Sequence, residues 1–243
     1  MRRHWKPIVI VAVLAAAVAF WVYYDKQRLQ QTPENRLDTT LNSIPAWQVL
    51  KEQEPAFQQR IRSQILAMQK EGDSEQEIID VVQPQILHLQ MSRLQTAPDA
   101  NVVDYMRANM EQTAAIQKVS DDACFRFLYP EVKGGINPLR VLDKNMMQRR
   151  VKADADMMRA AWGENKHTVT AQERETAIAD VRPIMKELAA KYGEDIQLLQ
   201  APDKAAGKEK VSCDMVQEMW AKVLKLPESH AAGVIRLAVS ELE

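Results

Sequence analysis

Apolar residues recur at spacings of three and four positions along most of the chain, which is the period of an amphipathic α-helix. The pattern is clear at Phe57, Ile61, Ile65 and Met68, and it returns after each break in the sequence. No segment shows the strict alternation of apolar and polar residues that is typical of a half-buried strand. The chain is also rich in Ala, Gln, Leu, Met, Glu, Lys and Arg, which favour helices. The sequence therefore predicts an all-α, multi-helix bundle.

Capping residues, glycines and prolines separate the predicted helices. Ser74 with Glu77, and Thr170 with Glu173, match the capping box, in which a hydroxyl and a carboxylate satisfy free N–H groups at a helix start. Gly72 and other glycines stand where a helix should end. The predicted helices cover 46–54, 55–71, 75–94, 102–119, a short stretch that contains Cys124, 139–162, 171–192, a segment capped by Ser212, and 229–242.

The first thirty residues contain a segment without charge from Pro7 to Tyr24. A helix of about 18 residues is just long enough to cross a hydrocarbon core of ~30 Å. Basic residues at positions 2, 3 and 6 precede it, and aromatic residues lie at both ends. Such flanks favour a cytoplasmic N-terminus and an interfacial aromatic belt. We therefore predict a cytoplasmic tail (1–6), a transmembrane anchor (7–24), a juxtamembrane linker (25–43) and a periplasmic helical domain (44–243) at a bacterial inner membrane.

Two other interpretations of this segment remain open. Residues 17–19, Ala-Val-Ala, fit the small-x-small pattern of a signal-peptide cleavage site. The apolar run is longer than a usual signal-peptide core, however, and cleavage would leave aromatic residues at the new N-terminus. The segment is also compatible with a buried core helix, although its basic and aromatic flanks argue against this. Whether the anchor is cleaved is not decided by the sequence.

The chain has two cysteines, Cys124 and Cys213, and neither belongs to a redox, haem-attachment or zinc motif. In an oxidising compartment such a pair is most simply a disulfide. We therefore predict a Cys124–Cys213 disulfide, with two unrelated buried thiols as the alternative.

A duplication of two helical modules, 44–130 and 137–243, is a further hypothesis. Pro84 and Pro183 each lie inside a long predicted helix, which they should kink. Three short stretches recur in the same order in both halves: 79–84 and 178–183, 94–99 and 199–203, and 118–120 and 210–212. The last pair precedes the two cysteines, so a disulfide would join equivalent corners. Coincidence in an Ala-, Gln- and Leu-rich chain is the alternative.

Composition and motifs restrict the classes of function. With 32 basic and 33 acidic residues, the chain lacks the basic surplus that nucleic-acid binding uses, so no nucleic-acid partner is expected. No catalytic, metal-binding or cofactor-binding residue is predicted, because the histidines are scattered and the usual glycine and zinc motifs do not occur. A single Glu-x-x-His, Glu164 with His167, falls between predicted helices. His88 leaves a b-type haem site open.

The expected function is that of a membrane-tethered periplasmic interaction protein, namely an adaptor, assembly factor or chaperone for another envelope protein. The alternative is a periplasmic enzyme that acts on cell-wall or envelope substrate, and a buried carboxyl with a raised pKa in a cleft would indicate it. A carrier of a tetrapyrrole or small ligand is a third hypothesis. The pairs of methionines on helix faces favour either core packing or an adaptable groove.

Overall fold

The computed structural model describes residues 32–136, 138 and 141–240, with the side chains of all of these except Gln83 and Leu87. These residues form α-helices, two short 3₁₀ helices and connecting turns, without a strand, so the predicted all-α fold is confirmed. The helices are α1 (Pro33–Asn42), α2 (Pro45–Gln53), α3 (Pro55–Glu71), α4 (Glu75–Thr96), α5 (Asp99–Gln117), α6 (Asp121–Leu128), α7 (Pro130–Lys133), α8 (Lys144–Ala160), α9 (Ala171–Tyr192), α10 (Glu209–Val223) and α11 (Glu228–Ser240). The 3₁₀ helices Gly193–Leu199 and Pro202–Lys204 join α9 to α10.

Several helix ends follow the capping signals in the sequence. At the start of α4, the Ser74 hydroxyl accepts the Glu77 N–H (3.3 Å) and the Glu77 carboxylate accepts the Ser74 N–H (2.7 Å), so both arms of the capping box form. At the start of α9, the Thr170 hydroxyl accepts the Glu173 N–H at 3.1 Å. Gly72 ends α3 with a φ of 89°, a left-handed conformation that glycine adopts without strain.

Three predicted helix starts are wrong. α5 begins at Asp99 rather than at residue 102. α8 begins at Lys144 rather than at residue 139, because residues 141 and 142 form a turn and a bend and the Asp143 carboxylate caps the first turn. α10 begins at Glu209, so Ser212, predicted as its cap, lies inside the helix and is buried. The N-cap of α10 is Lys208, which makes no side-chain capping hydrogen bond, so a search for a capping side chain does not find this start.

Part of the segment 25–43, which was predicted as a linker, is a helix that packs into the core. Leu37 and Leu41 lie one turn apart in α1 and are buried in the core. α1 packs against α2. Arg62 of α3 donates hydrogen bonds of 2.5 and 2.7 Å to the two carboxylate oxygens of Asp38, which fastens α1 to α3.

The central helix of the bundle is α5, which packs against α6, α8, α10 and α11. On another side of α8 lie α2 and α4, while α9 packs against α10 and α11. The buried residues of α5 recur every three or four positions and, apart from Val103, lie along one face of the helix. They are Val102, Val103, Tyr105, Met106, Asn109, Gln112, Thr113 and Ile116. Polar side chains from α5 therefore lie inside the molecule.

The predicted disulfide is confirmed. It joins Cys124 of α6 to Cys213 of α10, with Cα atoms 6.3 Å apart and a sequence separation of 89. Both residues are completely buried, and α6 and α10 pack against each other at this point. Pro84 and Pro183 lie inside α4 and α9, as predicted. The internal duplication stays a prediction.

The predicted cytoplasmic tail (1–6), the anchor (7–24) and residues 25–31 of the linker lie outside the described residues. Among the helices that are described, none combines the length and the apolar composition needed to cross a bilayer.

Candidate interaction surface

The connector between α8 and α9, residues 161–170, carries an exposed tryptophan. Trp162 keeps 54% of its surface exposed. Within the described part of the chain, the exposed large apolar side chains are those of Val81, Val119, Val132, Trp162 and Ile178, and Trp162 is the one aromatic residue among them. Most of the other large aromatic side chains, such as Trp47 and Trp220, are buried in the core. Among the described residues, Trp162 therefore differs from most of the aromatic side chains, because it is exposed rather than buried.

Arg93 of α4 holds the Trp162 ring in place. The guanidinium carbon of Arg93 lies 4.3 Å from the ring centroid, which is a cation–π contact. The same guanidinium donates a hydrogen bond of 2.6 Å to Glu54, the residue between α2 and α3. The Arg93 side chain is only 7% exposed, so its position is fixed by its surroundings. The exposed ring therefore lies on a rigid base, and we call Glu54, Arg93 and Trp162 the tryptophan platform.

Hydrogen bonds fasten both ends of the connector. The Thr96 hydroxyl at the end of α4 lies 3.3 Å from the Ala161 carbonyl oxygen, to which it donates. The His167 N–H donates to the Thr96 carbonyl oxygen at 2.7 Å. The His167 side chain pairs with Glu173 of α9, with 2.6 Å between Nε2 and Oε2. The platform is thus presented by a loop that the neighbouring helices hold in one conformation.

A buried arginine of α11 connects the same region to the C-terminal helix. Arg236 is 1% exposed, and its Nη1 donates to Glu173 Oε1 at 2.8 Å. Its Nη2 donates to the Ala97 carbonyl oxygen and to Asp99 Oδ1, each at 2.7 Å. Burial raises the pKa of Glu173, but the hydrogen bonds from His167 and Arg236 lower it more, and the net direction is downward. Glu173 therefore remains an anion that fixes the connector, α9 and α11 together.

A second ionic cluster lies in the interior, between α5 and α8. Arg150 Nε and Asp154 Oδ1 are 3.0 Å apart, and neither side chain has any exposed surface. The Arg150 guanidinium lies over the Tyr105 ring, 4.3 Å from its centroid. Burial raises the pKa of Asp154 from 3.8 to about 7, although Arg150 acts in the opposite direction.

Asp154 has one of the two features expected for the enzyme alternative, a buried carboxyl with a raised pKa. The other feature, a cleft, does not accompany it, because Arg150 and Asp154 are both 0% exposed. A reactant therefore has no contact with either side chain in this structure.

The sequence features considered for metal or haem binding lie apart. Glu164 and His167 are in the connector, as predicted, but the partner of His167 is Glu173. His88 is exposed on α4. Over the described residues, no group of three or more His, Cys, Asp or Glu side chains is placed to hold a metal ion.

Comparison with known proteins gives no match to a family model, to a curated protein or to a solved structure. The surface therefore has to be interpreted from its own residues. Sequence reasoning treated Trp162 only as the end of a helix and did not single out Arg93, Asp154 or Arg236. The sequence offers a weak signal for one of these, since Arg150 and Asp154 are opposite charges four residues apart on a helix.

Proposed function

We propose that this chain is a membrane-tethered, extracytoplasmic helical protein that binds another envelope protein through the tryptophan platform. The observation that carries the proposal is the exposed Trp162 ring, stacked on Arg93 and held by a fastened connector. Tryptophan and arginine are enriched among the residues that contribute most to protein–protein binding. A ring whose orientation is already fixed loses little conformational freedom when a partner covers it.

The extracytoplasmic location is supported by two features of different kinds. The disulfide between Cys124 and Cys213 is of the type that persists in oxidising compartments. The uncharged segment 7–24, with basic residues before it, has the composition of an anchor that exports the chain after it. A chain with both features would place the tryptophan platform in the envelope, close to the membrane that holds it.

Exposed charged residues lie close in sequence to the residues of the platform. Arg159 and Glu52 form an exposed ion pair of 3.6 Å between α8 and α2. Glu54 keeps 32% of its side chain exposed beside Arg93. An aromatic centre with a rim of polar and charged groups is the usual organisation of a protein–protein interface.

The proposal is tested by site-specific photo-crosslinking of the full chain in intact cells. A photoreactive amino acid replaces Glu164, which is exposed in the connector next to the platform, and a matched control replaces Lys186, which is exposed on α9. We expect a discrete crosslinked protein from position 164 that is absent from position 186 and is lost when Trp162→Ala is added. Equal crosslinking from both positions, or crosslinking that Trp162→Ala leaves unchanged, would contradict the proposal.

The enzyme alternative has one supporting observation, the raised pKa of Asp154. If Asp154 performed chemistry in an open conformation, Asp154→Asn would abolish the cellular function and leave the crosslink at position 164 intact. If the platform carries the function, Trp162→Ala abolishes it and a folded Asp154→Asn variant retains it.

A further inference from the structure

We infer that a thiol–disulfide oxidase closes the Cys124–Cys213 bond before α10 packs against α6, and that this packing then removes the bond from the reach of reductases. The inference rests on the extracytoplasmic location proposed above for the identity of the oxidant. Its physical basis, the enclosure of both sulfur atoms, is a separate property of the fold.

The enclosure is complete on both sides of the bond. Cys124 and Cys213 are each 0% exposed. The sulfur of Cys213 lies 3.9 Å from the backbone carbonyl oxygen of Asp121, so the start of α6 abuts it. Thiol–disulfide exchange requires an attacking thiolate to reach a sulfur atom, and its rate depends on that access. Neither an oxidase nor a reductase has such access while α5, α6 and α10 are in contact.

A polar clasp secures the three helices beside the bond. Gln117 at the end of α5 donates from Nε2 to Asp121 Oδ1 of α6 at 2.9 Å and to Asp214 Oδ1 of α10 at 2.7 Å. The side-chain amide oxygen of Gln117, Oε1, accepts a hydrogen bond from the side chain of Gln217, which lies one turn after Asp214 on α10. One glutamine side chain at the end of α5 therefore joins α6 and α10, the two helices that the disulfide connects. Opening the cover requires this clasp to break.

The chemistry in the proposed order is a two-step exchange. The thiolate of one cysteine attacks the disulfide of the oxidase, forms a mixed disulfide and releases one thiolate of the oxidase. The thiolate of the second cysteine then attacks the mixed disulfide, which forms the Cys124–Cys213 bond and releases the oxidase as a dithiol. The chain loses two protons and two electrons; the oxidase takes up both electrons, and its two released thiolates take up two protons. Both steps need room for the oxidase beside the sulfur atoms, so they precede the close packing of α10 on α6, although the second step brings the two cysteines together.

The experiment measures reduction of the disulfide by dithiothreitol in the full chain, purified in detergent, with trapping of free thiols by a maleimide and detection by mass. We expect reduction in buffer to be at least about tenfold slower than in urea at a concentration that unfolds the chain. Each rate is divided by the rate for oxidised glutathione in the same solution, which removes the effect of urea on the reductant itself. Gln117→Ala should accelerate reduction in buffer, whereas Lys186→Ala, an exposed control on α9, should not. Equal rates in buffer and in urea would overturn the enclosure, and an unchanged rate in Gln117→Ala would overturn the role of the clasp.

The order of events is tested by oxidation. Glutathione disulfide is added to the reduced chain either at the start of refolding or after refolding is complete, and the near-ultraviolet circular dichroism reports whether the core has packed. We expect late addition to oxidise a packed chain at least about tenfold more slowly than early addition, or the reduced chain to remain unpacked until it is oxidised. A packed, reduced chain that oxidises as fast as the unfolded one would overturn the order. These measurements are made outside the cell, so they are unaffected by a failure of the proposed location or partner.

Discussion

The guanidinium carbon of Arg93 lies 4.3 Å from the centre of the Trp162 ring, and a hydrogen bond from the same guanidinium to Glu54 fixes it in that place. More than half of the Trp162 surface is nevertheless exposed. The fold thus stabilises the orientation of a large aromatic ring without burying it. A structural role would be served better by burial, since the free energy gained grows with the apolar area removed from water.

Replacing Trp162 by alanine should weaken partner binding much more than folding. We expect a loss of about 2 kcal/mol or more of binding free energy, roughly thirty-fold in Kd, if the ring is a central contact. The loss of folding stability should be about 1 kcal/mol or less, because the cation–π contact lies at a partly exposed site. Crosslink yield at position 164 and urea unfolding report the two quantities. Trp162→Phe should retain part of the binding. A Trp162→Ala variant that loses folding stability but binds the partner as tightly as the natural chain would contradict this expectation.

Replacing Arg236 by methionine should destabilise the fold strongly. The substitution leaves Asp99 and Glu173 without the guanidinium that neutralises them, which should cost about 3 kcal/mol. Arg107→Met is the matched control, because Arg107 pairs with Asp104 on the exposed surface of α5 and should change stability by about 0.5 kcal/mol or less. Urea unfolding of the two variants measures the difference. Similar stabilities would show that the Arg236 cluster does not hold α11 in place.

The buried Asp154 should make stability fall as the pH rises. Its pKa is about 7 in the folded protein against an ordinary value of 3.8, so between these two values the folded chain keeps a proton that the unfolded chain releases. The contribution of this group to stability is therefore complete below about pH 4 and is lost as the pH rises through about 7. The free energy of unfolding at pH 5 and pH 8 should differ less in Asp154→Asn than in the natural chain. An identical difference in both would mean that Asp154 does not titrate in this range.

Removing both cysteines should destabilise the protein through the unfolded chain. The disulfide joins residues separated by 89 positions, and a loop of that length corresponds to about 4 to 5 kcal/mol in the chain-entropy model. The double variant Cys124→Ala and Cys213→Ala should therefore unfold at a lower urea concentration than the oxidised natural chain. The natural chain with its disulfide reduced should behave like the double variant. An unchanged unfolding midpoint would contradict this account of the disulfide.

The two capping boxes illustrate what the sequence predicts and what it does not. Both begin a helix where the sequence places them, because a hydroxyl three residues before a glutamate satisfies local N–H groups. In α4 the Glu77 carboxylate returns to Ser74. In α9 the Glu173 carboxylate instead binds His167, which lies in the preceding connector, and Arg236, which lies in α11 far along the chain. Local patterns predict the helices, whereas tertiary partners decide how the same side chain is used.

The polar interior was not predictable for a related reason. Asn109 and Gln112 are ordinary polar residues in the sequence of α5, and they are buried because they lie on the helix face that carries the apolar core residues. The platform also depends on contacts between residues far apart in sequence, since Arg93 lies in α4 and Trp162 lies in the connector between α8 and α9. The all-α fold and the disulfide needed only periodicity and residue type, which is why they could be predicted.

The most direct test of the whole account is the side of the membrane on which the C-terminus lies. Alkaline phosphatase, active only outside the cytoplasm, and green fluorescent protein, fluorescent when it folds in the cytoplasm, are fused in turn to residue 243 of the full chain. We expect phosphatase activity without fluorescence, because the segment 7–24 should retain its basic N-terminal side in the cytoplasm and export the rest. Fluorescence without phosphatase activity would contradict the extracytoplasmic location and, with it, a role for the tryptophan platform in the envelope.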